Sequence, residues 1–115
     1  MVLIWYPKCS TCQKAKKYLE GNHCDVTYRD IVTDTPTSLE IQELIRLSGK
    51  DISKFFNTSG LKYRSMDLKN KLPYMSDMEK LEILASDGML IKRPILVTDE
   101  KVYIGFREKE WSEVL

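Results

Sequence analysis

Five consecutive apolar residues, Val2-Leu3-Ile4-Trp5-Tyr6, stop at Pro7, and Cys9-Ser10-Thr11-Cys12 follows almost at once. An unbroken β-prone run of this kind reads as a strand buried on both faces, as central strands of α/β sheets are. The next segment has a helical period. Cys12, Ala15, Tyr18 and Leu19 fall on one face and Lys14, Lys16 and Lys17 on the other, with Ser10 or Thr11 as cap and Gly21-Asn22 as a left-handed stop. Cys24 to Ile31 then alternates loosely and reads as a second strand. Strand, helix and strand in so short a span make a βαβ unit, for which a right-handed parallel crossover is the default.

The remainder completes an α/β pattern. Thr37 and Glu40 form a capping box, and Ile41, Leu44 and Ile45 make a stripe ending at Gly49. Asp51 caps a short helix carrying Ile52, Phe55 and Phe56, stopped by Asn57-Thr58-Ser59-Gly60. Ser76 and Glu79 form a second capping box, with Met78, Leu81, Leu84 and Ala85 inward and Gly88 as the stop. Ile95-Leu96-Val97 and Val102-Tyr103-Ile104 flank a four-residue hairpin loop, and a final helix carries Trp111, Val114 and Leu115. The order is β-α-β, a helical insert over about residues 36–90, then β-β-α, in one domain of residues 1–115. Hydrophobic residues, at 43%, suffice for one core of this size. The balance of 18 basic and 17 acidic residues creates no global field toward nucleic acid or anionic membrane. No apolar run exceeds six residues, so no membrane-spanning helix is expected. Without a secretory signal pattern and with an odd cysteine count, the expected location is cytoplasmic.

Between a strand and a helix, Cys9 and Cys12 have the spacing of a redox pair. Backbone N–H groups at a helix start lack intrahelical partners, and with the helix dipole and Lys8 they favour a Cys9 thiolate. Cys12, one turn on, is placed to attack a mixed disulfide formed on Cys9. Two other readings remain at this point: half of a zinc site completed by His23 and Cys24, and two buried, inert thiols. No metal is the expectation, because His23 and Cys24 are adjacent at the start of a strand and point to opposite faces. Cys24 reads as structural and His23 as a loop residue. Lys92-Arg93-Pro94 precedes the third strand, which in this order enters beside the first helix and brings Arg93 near Cys9. The motif reads equally as an anion-holding arginine and as an exposed basic pair at a strand entrance. Base rates favour a trans bond before Pro94.

Tyr6-Pro7-Lys8-Cys9-Ser10-Thr11-Cys12-Gln13-Lys14-Ala15-Lys16-Lys17-Tyr18-Leu19, Lys92-Arg93-Pro94-Ile95-Leu96-Val97 and Ile104-Gly105-Phe106 resemble, in order and spacing, the glutaredoxin-linked arsenate reductase (ArsC) family, which includes the Spx-type regulators. The resemblance implies a thioredoxin-like fold with a helical insert, and a cis Arg93–Pro94 bond facing the cysteine loop. It implies Cys9 as the attacking thiol and Arg93 as an arginine that neutralises the oxyanion, with Arg107 in place of a further one. Together with the spacing of Cys12, the expected catalytic residues are Cys9, Cys12 and Arg93, with Lys8, Ser10, Thr11, Pro94 and Arg107 around the substrate. The family's reductases use glutathione and glutaredoxin, so glutathione or a glutaredoxin/thioredoxin system is the implied electron donor, with no bound cofactor. Those reductases usually have serine at the Cys12 position, arginine at Gln13, and an insert arginine near Phe56-Asn57. The Cys9–Cys12 pair is instead similar to that of the regulators, which use such a disulfide as a switch and bind RNA polymerase rather than DNA directly. Two functions follow: a thiol–disulfide oxidoreductase, and a redox-switched regulator.

Overall fold

The computed structural model describes residues 1–115. A four-stranded sheet, ordered β2-β1-β3-β4, is built from β1 (Val2–Trp5), β2 (Thr27–Asp30), β3 (Ile95–Val97) and β4 (Val102–Ile104). β2 runs parallel to β1, as the βαβ reading requires, whereas β3 is antiparallel to both β1 and β4. Side chains alternate across a strand, and the core follows that rule. Leu3 and Leu96 point to one face and join Ala15, Leu19 and Trp111, so α1 (Ser10–Gly21) and α6 (Glu108–Trp111) cover that side. Their neighbours Ile4 and Ile95 point to the other face and join a larger cluster with Ile41, Leu44, Phe55 and Leu84. That side is covered by the insert: α2 (Ser38–Ser48), α3 (Leu61–Ser65), α4 (Leu68–Lys71) and α5 (Asp77–Ser86), with 3-10 turns at Ile52–Phe55, Leu72–Tyr74 and Gly88–Leu90. This is the thioredoxin-like arrangement with a helical insert.

Both capping boxes form, Gly49 is left-handed at φ 68°, and Asp51 caps its turn through the Ser53 N–H. Several local expectations differ from the structure. The N-cap of α1 is Cys9, with no side-chain cap, because the loop is closed instead by Cys9 N–H donating to the Tyr6 carbonyl at 3.0 Å. The left-handed residue after α1 is His23, not Gly21 or Asn22. β2 is shorter than Cys24 to Ile31, because pairing with β1 begins only at Thr27, opposite Val2. Met78 is 73% exposed, because α5 turns only part of its surface toward the core. Gly88 is required by close approach: a Cβ there would lie 1.9 Å from the Ile31 carbonyl oxygen.

Candidate active site

The β1–α1 junction brings Cys9 to the surface and Cys12 beneath it. Cys9 is half-buried, Cys12 has no exposure, and all three cysteines are free. The Tyr6 N–H, at the end of β1, points at the Cys12 sulfur from 3.5 Å. Gln13 donates to the Pro7 carbonyl at 2.6 Å and so braces the loop that carries Cys9.

Cys9 faces a cavity of about 870 Å3, lined also by Thr11, Asn57, Lys62, Asp87, Lys92, Arg93 and Arg107 among others. The far wall comes from the insert, held against the chain ahead of β3 by two backbone bonds: Asn57 N–H to Leu90 C=O at 2.8 Å, and Lys92 N–H to Phe55 C=O at 2.7 Å. Lys62 reaches Asp87 at 3.8 Å. Arg93 is less well satisfied. Its Nη1 donates to the Met89 carbonyl at 3.5 Å, its guanidinium lies 5.3 Å from the Tyr6 ring centroid, and its buried Nε has no partner. No carboxylate lies within ion-pair distance of it. A guanidinium with an unused donor and no counter-ion has the chemistry to accept an anion beside the thiol.

The two thiols differ electrostatically. Partial burial disfavours the Cys9 thiolate, but hydrogen bonds from the Cys12 N–H and thiol, the charge of Arg93 and the Thr11 N–H outweigh it, holding Cys9 below the ordinary thiol value. Burial pushes Cys12 up to about 12; the Tyr6 N–H offsets part of this and the neighbouring Cys9 adds to it. The first proton therefore leaves Cys9.

Of the residues anticipated from sequence, Cys9, Thr11, Arg93 and Arg107 meet at the cavity. Lys8 and Ser10 are exposed and do not line it. Pro94 is buried, its carbonyl accepts from Gly105 N–H at 2.8 Å, and the Arg93–Pro94 bond is cis, against the base rate and as the resemblance implied. His23 and Cys24 are not gathered with Cys9 and Cys12 into a metal-binding group. Asn57, Lys62, Asp87 and Lys92 were missed. Asn57 lies where an insert arginine was sought, and its Asn-Thr-Ser-Gly context signalled only a turn.

The family model described as the ArsC family matches residues 4–114. The chain belongs to the ArsC family. An uncharacterized Bacillus subtilis protein, YusI, is 50% identical over 98% of this chain and 96% of its own length. The global transcriptional regulator Spx 1 of Bacillus cereus is 30% identical, over 90% of this chain and 78% of its own length. An ArsC-family-related protein from Bacteroides fragilis superposes with a TM-score of 0.96 at 46% identity, covering 99% of this chain and 96% of that one. A possible arsenate reductase from Streptococcus mutans gives a TM-score of 0.87 at 43% identity, covering 96% of each chain. The family thus spans reductase-like and regulatory relatives. No helix in this ArsC-family chain is long and apolar enough to cross a membrane.

Proposed function

We propose that this chain is an arsenate-reductase-like thiol–disulfide oxidoreductase of the cytoplasm, with Cys9 as nucleophile and Cys12 as resolving thiol. The observation that carries the reading is the contrast within one helical turn: an accessible, thiolate-favouring Cys9 beside Arg93, above a buried Cys12 held as thiol. The Cys9 thiolate attacks one sulfur of a substrate disulfide, forming a mixed disulfide and expelling the other sulfur as a thiolate. Conversion of Cys9 to a disulfide removes the negative charge and hydrogen bond that help hold the Cys12 proton. Cys12 then gives its proton to the departing thiolate and attacks the Cys9 sulfur, releasing the second substrate thiol. Two electrons pass from the dithiol to the substrate, and the Cys9–Cys12 disulfide is reduced by glutathione or a glutaredoxin/thioredoxin system. Arg93 anchors an anionic substrate or a glutathione carboxylate, with Arg107 lining the same cavity. Arsenate suits the site less well: Asn57 stands where a further guanidinium would help, and Gln13 is spent on Pro7. No metal or bound organic cofactor enters this scheme.

The likeness to Spx 1 favours a second reading, a redox-switched regulator that binds RNA polymerase through a surface altered by the Cys9–Cys12 disulfide. Turnover separates the two. With a thiol donor in excess, the oxidoreductase reduces a model disulfide through many cycles; a protein that oxidises once and then changes its affinity for polymerase is the regulator.

A further inference from the structure

A second groove, of about 530 Å3, adjoins the reactive cavity, and Lys92 and Arg107 line both. One wall is β4, the outermost strand on its side of the sheet; the other is the C-terminal end of α2 together with Lys54. Its charge is lopsided. Lys50, Lys54, Lys92, Lys101 and Arg107 share the groove with one carboxylate, Glu110. Glu110 lies 3.7 Å from Arg107, and none of the four lysines has a carboxylate within ion-pair distance. The chain as a whole is nearly neutral, with 18 basic and 17 acidic residues, so this excess is a product of the fold. Like charges gathered in a cleft focus the field there and are relieved by an anion.

We infer that this groove docks an acidic peptide segment of a protein partner, whose disulfide is thereby presented to Cys9. The inference rests on the oxidoreductase reading and names its partner class. Three features favour an acidic peptide. Lys92 and Arg107 border both the groove and the Cys9 cavity, so one bound chain that passes over them reaches both. Four of the five cations are ammonium groups, point charges suited to separate carboxylates. Tyr103, the aromatic residue among those lining the groove, is partly buried against the Leu3–Trp111 cluster and has the Lys101 ammonium 5.3 Å from its ring centroid, so it is not an open stacking platform for a nucleobase.

The test reads binding apart from catalysis. Fluorescence anisotropy with the Cys9→Ser protein compares an acidic peptide of roughly ten residues with its Gln/Asn counterpart. The acidic peptide should bind more tightly, and added salt should weaken it. Lys50→Glu, Lys54→Glu and Lys101→Glu together should weaken it by about tenfold or more, and the corresponding Gln variant by less. In the protein that retains Cys9, the same triple substitution should leave turnover of a small neutral disulfide unchanged. Equal binding of the two peptides, a correctly folded triple variant with undiminished affinity, or tighter binding of a single-stranded oligonucleotide of equal charge would overturn the inference. A wild-type protein that discriminates the peptides but turns over no disulfide would refute the oxidoreductase reading and leave the docking groove standing.

Discussion

At the mouth of the first turn of α1, Cys9 is half-exposed, faces Arg93 and opens on a large cavity; at its floor, Cys12 is fully buried with the Tyr6 N–H aimed at its sulfur. The residue type, the helix and the turn are shared. What separates the thiols is burial and hydrogen bonding: full burial raises the cost of ionising Cys12, whereas Cys9 is only partly buried and accepts from the Cys12 N–H and thiol. A Cys-x-x-Cys spacing supplies two sulfurs within reach, and the surroundings decide which reacts first.

The largest expected effect comes from exchanging the sulfurs for oxygen one at a time. Cys9→Ser should abolish thiol chemistry, since a serine hydroxyl is far less nucleophilic near neutral pH. Cys12→Ser should keep the attack but lose internal resolution, so that mass spectrometry after treatment with oxidised glutathione shows one adduct, on Cys9. An adduct on Cys12 or Cys24 would break the comparison. A global change should act without choosing between the thiols. Gly88→Ala forces a methyl against the Ile31 carbonyl and should cost about 2 kcal/mol or more of stability by denaturant unfolding. The surviving folded protein should still be alkylated at Cys9 ahead of Cys12.

The parts of this contrast that could be read from sequence are those set by local pattern. Val2 to Tyr6 announced the buried strand, and the capping boxes at Thr37 and Ser76 placed two insert helices, because period and cap chemistry are short-range. Cys9 at the helix start was legible for the same reason. α3 and α4 were not: each is only a turn or so long, and only Leu68 between them is buried, so no apolar stripe could form. The far wall of the cavity was also invisible, since Asn57 and Lys62 reach Cys9 only through pairing of the insert with Leu90 and Lys92. Arg93 was placed by topology, but its unpartnered Nε is a fact of packing.

Arg93→Ala sharpens the comparison at a smaller scale. Losing its charge should raise the Cys9 pKa toward the ordinary thiol value and lower kcat/KM for anionic disulfides about tenfold, a charge-assisted hydrogen bond's worth. Arg93→Lys should restore the charge without the planar fork, recovering only part. Unchanged kinetics would reduce Arg93 to a packing role. The smallest effect lies away from the cysteines. Arg29 Nη1 meets Glu40 Oε2 at 2.6 Å, holding Glu40 at about 2 against an ordinary 4.5. A depressed carboxyl pKa stabilises the fold above the unfolded value and loses that contribution as pH falls toward the folded one. The pair is 44% exposed on the Glu40 side, so Glu40→Gln should cost less than about 1 kcal/mol at neutral pH. That deficit should shrink as pH falls from 4.5 toward 2, with the order of thiol reactivity unchanged.

The most direct measurement is thiolate absorbance against pH, from about pH 5 to about pH 11, on the Cys24→Ser protein, with Cys9→Ser added to assign the signal. The account predicts one thiolate appearing below the ordinary thiol range and absent from the Cys9→Ser variant, with Cys12 silent because it ionises only near 12. Two thiols ionising together in the ordinary range, or an early thiolate that survives Cys9→Ser, would contradict it.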